Sequence, residues 1–118
     1  MAEQTTVNTA RAFTDAWTRQ DMEAAGSYLT DDVIFDGPLG HAEGKTEYLA
    51  GLTGLSQNLS VNGVNIVAAF GDDSQVLIMY ELLTEKVGPL TCAKLLSFRD
   101  GKIFSDRLTF DSHLVRGS

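Results

Sequence analysis

Two aspartates interrupt apolar segments, and they are the residues of this chain best suited to chemistry. Asp36 follows the apolar residues 33–35 (VIF) and directly precedes a Gly-Pro turn. Asp106 falls among Phe104, Leu108 and Phe110, which alternation places on one face of a strand. Burial raises the pKa of a carboxyl group toward neutrality, so each aspartate is a candidate general acid or base. The pair predicts a pocket in which a proton is moved.

Both aspartates also have a structural interpretation. Asp36 is suited to accept backbone N–H bonds from the turn that follows it. Asp106 could instead pair with Arg107, Lys94 or Lys102 at a solvated strand edge. Lys94 stands in an apolar strand, where it either neutralises one of the aspartates inside the pocket or extends outward to solvent.

Helical spacing of apolar residues predicts three helices in the first half of the chain. Phe13 and Trp17 share the apolar face of an amphipathic helix over residues 6–20. Asp21 is suited to cap a second, shorter helix, and the leucines of residues 48–55 mark a third.

The second half of the chain has the pattern of strands. Predicted strands are residues 33–36, 59–70, 75–86, 90–98 and 102–110. Short polar turns join the last four, and Asp100-Gly101 is the strongest hairpin signal. Helices followed by a meander predict an α+β fold in which a curled antiparallel sheet covers the helices and leaves a cavity at its open end.

Composition excludes several classes of function. The 118 residues carry a formal net charge of −7, which disfavours nucleic acid and anionic membranes as partners, and no apolar stretch is long enough to span a bilayer. Cys92 is the single cysteine, so a cytoplasmic protein is expected. His41 and His113 do not have metal-ligand spacing, and neither a metal nor another cofactor is expected. Residues 114–118 have the pattern of a tail and are assigned no function.

Four segments together resemble a known superfamily. They are residues 19–22 (RQDM), 28–38 (YLTDDVIFDGP), 44–45 (GK) and 98–103 (FRDGKI). The chain resembles the nuclear transport factor 2-like superfamily, particularly its SnoaL-like branch, over nearly all of residues 1–118, which would form a single domain. The resemblance implies a cone-shaped, strongly curved antiparallel sheet wrapped around N-terminal helices. It also implies a homodimer formed through the outer face of the sheet.

The resemblance assigns roles to four candidate catalytic residues. Asp36 is similar in position to the proton-shuttling aspartate of ketosteroid isomerases, and Tyr28 to a pocket tyrosine of that family. The oxyanion tyrosine of the isomerases falls at Phe13 and their second donor at Lys94, which could supply positive charge to an oxyanion. Asp106 is similar in placement to the acid/base aspartate of SnoaL-like polyketide cyclases.

The same fold would let large apolar side chains line the cavity. The candidates for substrate binding are Phe13, Trp17, Phe35, Tyr48, Met79, Phe98 and Phe110. The sequence thus predicts a cofactor-independent cyclase or isomerase that moves a proton on a small hydrophobic carbonyl compound. The alternative is a non-catalytic module of the same fold that binds a small ligand or dimerises, in which both aspartates serve stability.

Overall fold

A computed structural model describes residues 2–38 and 40–110 of the chain, with side chains from residue 5 onward. His113 and the predicted tail at residues 114–118 lie outside the described residues.

Three helices and six strands make up the described fold. The helices are α1 (Ala2–Thr18), α2 (Met22–Ser27) and α3 (Lys45–Leu59). The strands are β1 (Leu29–Gly37), β2 (Gly40–Glu43), β3 (Val61–Gly71), β4 (Gln75–Thr84), β5 (Leu90–Arg99) and β6 (Lys102–Phe110). The predicted α+β class is confirmed.

The three predicted helices are present, although α1 covers residues 2–18 where 6–20 was predicted, and α3 includes Leu59, which was predicted to begin a strand. Phe13 and Trp17, one turn apart on α1, are both buried. Asp21 caps α2, because its carboxylate accepts a hydrogen bond of 3.1 Å from the backbone N–H of Ala24. The third helix ends at Ser60, which takes a left-handed conformation (φ 53°) and returns its N–H to the last turn.

The six strands form one curved sheet that does not close into a barrel, in the order β2-β1-β6-β5-β4-β3. Neighbours are antiparallel except β1 and β6, which run parallel. This parallel pair joins the first strand to the last, so the hairpins predicted from short turns account for only part of the sheet. Helix α1 packs against β3 and β4, and α3 packs against β1 and β2.

Strand β2 is absent from the prediction. The sequence indicated a turn at residues 37–40, and the chain does turn there, but it then runs back along β1 as a four-residue edge strand. Gly40, His41 and Glu43 are exposed and only Ala42 is buried. With one apolar residue facing inward, the segment carries almost no alternation signal.

Register shifts decide which side chains of β6 point inward. Along β5, Lys94, Leu96 and Phe98 are all buried on the inner face. The register between β5 and β6 then shifts between Ser97 and Phe98, so that both Ile103 and Asp106 face inward. The half-buried Phe104 therefore does not share the face of Asp106, as strict alternation had predicted, and its ring lies 5.1 Å from the Arg99 guanidinium.

The turn between β3 and β4 has no room for a side chain at Gly71. A Cβ atom there would meet the Gln75 carbonyl oxygen and would lie 2.7 Å from Val76 Cα. We expect Gly71→Ala to lower the free energy of unfolding by about 1–3 kcal/mol, measured by urea denaturation. The matched control is Gly54→Ala in α3, where nothing lies within 4 Å. That change should raise stability by about 0.5–1 kcal/mol. Equal effects at the two sites would contradict this account of the turn.

Candidate functional site

A cavity of about 270 Å³ opens between the inner face of the sheet and helices α1 and α3. Its wall is mostly apolar, with Trp17 from α1, Leu52 from α3, Leu82 from β4, Leu90 from β5 and Phe110 from β6. The volume lies just below the range of about 300–1,000 Å³ that is usual for drug-sized ligands. The cavity therefore suits a small apolar molecule.

A buried lysine and a buried aspartate meet beside this cavity. Lys94 on β5 and Asp106 on β6 are diagonal neighbours across the antiparallel ladder, since Leu96 pairs with Asp106 and Lys94 pairs with Leu108. Lys94 Nζ donates to Asp106 Oδ2 over 3.0 Å, with the two side chains 1% and 0% exposed. Of the alternatives for these residues, the inward ion pair is the one the structure adopts.

Three aromatic rings surround the ammonium group of Lys94. Nζ lies 5.5 Å from the ring centre of Phe13, 5.8 Å from that of Trp17 and 5.5 Å from that of Tyr80. Aromatic faces attract cations at this range, which offsets part of the cost of removing the ammonium from water. The rings and the Asp106 carboxylate together favour Lys94 as a charged group.

Tyr48 supplies a third member of the buried cluster. Its position in the first turns of α3 directs its hydroxyl at the Asp106 carboxylate, to which it donates a hydrogen bond at Oδ2. The ring stacks on Phe35 at 5.1 Å and 17°. Burial, followed by the charge and hydrogen bond of Asp106, raises the pKa of Tyr48 well above its usual value, so the hydroxyl keeps its proton.

The Asp106 carboxylate is sealed from the cavity in this conformation. Asp106 is 0% exposed, and Tyr48 and Lys94, which do line the cavity, both contact its Oδ2. Its other oxygen, Oδ1, has no hydrogen-bond partner among the described residues. A proton therefore reaches this carboxylate from the cavity through Tyr48 or Lys94, or after a side-chain movement.

Two of the four predicted catalytic residues lie away from the cluster. Asp36 is on the opposite face of β1 from the inward-facing Phe35, and its half-exposed carboxylate contacts His41. The prediction that Asp36 shares the pocket with Asp106 is wrong, because successive side chains of a strand point to opposite faces. Tyr28 is the C-terminal cap of α2 and is not part of the cavity wall.

The predicted aromatic lining divides into three groups. Trp17, Phe35, Tyr48 and Phe110 line the cavity. Phe13 and Phe98 are buried in the core without reaching it. Met79 is 44% exposed, because alternation along β4 turns it to the outer face while Ile78 and Tyr80 face inward. A role for Met79 in the pocket is therefore a wrong prediction.

Sequence reasoning missed the contact between Tyr48 and Asp106. Tyr48 was expected only as an apolar wall, and the two residues stand 58 positions apart on elements whose packing local patterns do not specify. It also missed the rim of the cavity, where His41 from β2 and Glu47 from α3 complete the lining.

Neither a reactive thiol nor a metal site is found among the described residues. Burial raises the pKa of the Cys92 thiol in the cavity wall to about 11, which keeps it protonated and a poor nucleophile. Within the described part of the chain, no cluster of three or more His, Cys, Asp or Glu side chains is placed to hold a metal ion. None of the described helices combines the length and the apolar character needed to cross a membrane.

The curved sheet and the N-terminal helices form the nuclear transport factor 2-like fold. A model of the SnoaL-like domain matches residues 10–105, and the chain belongs to this family. No curated relative matches it by sequence.

Solved structures share the fold. A protein from Kribbella flavida DSM 17836 is 28% identical at a TM-score of 0.86, over 94% of this chain and 90% of that one. A candidate ketosteroid isomerase from the same organism is 17% identical at a TM-score of 0.79, over 92% and 79%. An epoxide hydrolase of M. tuberculosis resembling limonene epoxide hydrolase is 19% identical at a TM-score of 0.80, over 99% and 94%. The last two likenesses concern the fold alone.

The buried pair should dominate stability in this region. Replacing Lys94 with Met leaves the Asp106 carboxylate buried without its cation, and we expect the free energy of unfolding to fall by about 3–5 kcal/mol. Lys45→Met, which removes the exposed pair with Asp31 (3.4 Å), should cost less than about 1 kcal/mol. Urea denaturation measures both. A double variant, Lys94→Met with Asp106→Leu, should recover most of the loss, and a double variant no better than Lys94→Met would contradict the assignment of the loss to the unpaired charge.

Proposed function

We propose that this protein is a cofactor-independent enzyme of the cyclase or isomerase type, which moves a proton on a small hydrophobic carbonyl compound. The observation that carries the proposal is the buried cluster of Lys94, Asp106 and Tyr48 beside an apolar cavity. Ionisable groups are costly to bury, and their concentration at one end of a cavity is typical of catalytic sites. Membership of the SnoaL-like family and the isomerase candidate among its structural neighbours are consistent with this class.

Lys94 is the group we assign to the carbonyl oxygen. An ammonium carries three N–H donors, and the contact with Asp106 uses one of them. A ligand whose carbonyl oxygen reaches Nζ gains a charged donor in a site with little water, where such a contact is worth more than in solution. Removal of a proton next to the carbonyl places negative charge on that oxygen, and Lys94 would stabilise the resulting enolate.

Asp106 is the group we assign to the proton, with Tyr48 as its route to the cavity. Because the carboxylate is sealed, the proton would pass from the ligand carbon to the Tyr48 oxygen while the hydroxyl proton passes to Asp106 Oδ2. Tyr48 is neutral before and after this step, Asp106 gains one proton, and the ligand becomes an enolate. Reversal of the relay at a second carbon gives the isomerised product. In a cyclisation the enolate carbon would instead attack a second carbonyl carbon of the ligand, and the proton would return through Tyr48 to the alkoxide oxygen that forms. The raised pKa of Tyr48 favours a concerted transfer over a free tyrosinate.

The cavity also restricts the ligand class. Its wall is mostly apolar, and its polar groups include the cluster at one end, His41 and Glu47 at the rim, and the indole N–H of Trp17. The volume of about 270 Å³ favours a compound with one or two rings over a four-ring steroid.

The proposal is tested by hydrogen–deuterium exchange at the ligand carbon. Cyclohexanone, 1-indanone and 2-tetralone are incubated with the protein in D₂O, and loss of the α-proton signals is followed by NMR. We expect catalysed exchange for at least one ketone. Asp106→Asn should reduce the rate by about 10²–10⁴-fold, because it removes the general base. Tyr48→Phe should also reduce it, because the phenyl ring cannot relay the proton.

Asp15→Asn is the matched control, since Asp15 is exposed on α1, pairs with Arg19 and is not among the residues that line the cavity, so it should not affect exchange. Thermal unfolding of each variant separates loss of activity from loss of the fold. Exchange that survives in a folded Asp106→Asn variant would remove Asp106 from the chemistry. A wild-type protein without activity on any ketone would favour the non-catalytic module instead.

We further propose that the outer face of β3 and β4 binds a second copy of the chain. Five large apolar side chains are exposed there, Val67 (54%), Phe70 (62%), Leu77 (45%), Met79 (44%) and Leu83 (37%). Phe70 pairs directly with Leu77 across the ladder, so the exposed residues are neighbours. Monomeric proteins rarely leave a continuous apolar patch of this kind in water. A symmetric dimer would remove the patch of each copy from water by packing the two patches together.

Met79→Arg should convert the dimer to a monomer, because a guanidinium group in the centre of the interface would be buried without a partner. Sedimentation equilibrium measures the mass against the 12.8 kDa of one chain. Ile34→Arg is the control, since Ile34 is also exposed (43%) but lies on β1, near the other edge of the sheet. A monomeric wild-type protein, or dissociation by both variants alike, would argue against this interface.

A further inference from the structure

The hairpin of β1 and β2 forms one wall of the cavity mouth. Pro38, Gly40, His41 and Ala42 from this hairpin all line the cavity. Strand β2 has four residues, lies at the edge of the sheet and buries only Ala42. Such a segment has few apolar contacts to hold it, so polar contacts have an unusual share in fixing this wall.

His41 lies between two carboxylates in this hairpin. Its Nδ1 is 2.7 Å from Asp36 Oδ1 on β1, and its Nε2 is 2.9 Å from Glu43 Oε2 on β2. Both carboxylates are acceptors when ionised. The imidazole can donate to both at once only when both of its nitrogens carry protons, which is the charged form. Loss of one proton leaves one of the two contacts without a donor.

Other charged groups surround the pair. On α3, Glu47 accepts a hydrogen bond of 2.9 Å from the backbone N–H of Glu43 and, like His41, lines the cavity. On β6, Arg107 is the strand neighbour of Asp36 and is exposed. The charged imidazole therefore stands among acidic groups on β1, β2 and α3, with one cation on the neighbouring strand.

We propose that His41 is a proton-operated clamp on the wall of the cavity. The charged imidazole ties Asp36 to Glu43 across the hairpin and fixes the wall, and its deprotonation releases one of the two contacts and loosens the wall. The device needs no catalytic activity, so it stands or fails independently of the proposed enzyme.

The direction of the pH dependence follows from the same contacts. The hydrogen bond with Glu43, and next that with Asp36, raises the pKa of His41 above its ordinary value of 6.5. A group whose pKa is raised by folding stabilises the fold fully below its unfolded pKa. That contribution is lost as the pH rises through the folded pKa. The wall should therefore be most ordered in mild acid and should loosen toward alkaline pH.

Two NMR measurements on the whole chain test the clamp. His113→Asn is introduced first, so that His41 is the single histidine and its ring signals report its titration without overlap. We expect a pKa above 6.5 that falls when either Asp36→Asn or Glu43→Gln is added. Amide hydrogen exchange is then measured between about pH 5.5 and pH 8.5, corrected for the intrinsic pH dependence of exchange.

Protection of the amides of residues 40–43 should fall about two- to fivefold across this range, as expected for the loss of an exposed charged contact. Protection in the ladder of β4 and β5 should stay constant. His41→Gln in the same background should remove the pH dependence at β2.

Three results would overturn the clamp. They are an unshifted His41 pKa, constant protection of β2, and a loss of protection that His41→Gln retains.

Discussion

The contact between the Lys94 ammonium and the Asp106 carboxylate is the constraint on which the interior depends. Two charges taken out of water cost several kcal/mol each, and their mutual attraction repays this only when further contacts complete the site. Here three aromatic rings face the ammonium and the Tyr48 hydroxyl faces the carboxylate. Those partners come from α1, β4 and α3, so satisfying the pair requires both helices to sit correctly on the sheet. An apolar pair of similar size would leave the helices less strictly placed.

The same pair explains why the cavity is divided into an apolar body and a polar end. Lys94 reaches Asp106 because the two residues are diagonal neighbours on the inner face of β5 and β6, where Leu96 pairs with Asp106 and Lys94 pairs with Leu108. The body of the cavity is mostly apolar, with Leu52 and Leu82 in its wall, although the indole N–H of Trp17 has no hydrogen-bond partner among the described residues. The charged donor thus lies at one end of a mostly apolar cavity.

The sequence was sufficient for the class of fold and for half of the candidate catalytic site. Asp106 and Lys94 were detectable because each is a charge on the apolar face of a strand, and burial follows from that pattern. Asp36 shows the limit of the same reasoning. The apolar residues before Asp36 suggested that it faces the pocket. Alternation along the strand instead places Asp36 on the same face as the exposed Ile34 and on the opposite face from Phe35. The hydrogen bond from Tyr48 to Asp106 and the strand β2 were beyond reach, because the first depends on helix packing and the second carries one buried residue.

Fold and chemistry must be kept apart in this family. The neighbours of this chain include a candidate isomerase and an epoxide hydrolase on the same scaffold, so the scaffold cannot select between them. In this chain a carboxylate is sealed behind a tyrosine and a lysine. In the proposed mechanism a sealed base needs an intermediary, and the intermediary must exchange its own proton without holding charge. Tyr48, kept neutral by its surroundings and bonded to Asp106, has these properties, whereas Lys94 would lose the charge that anchors the pair if it gave up a proton.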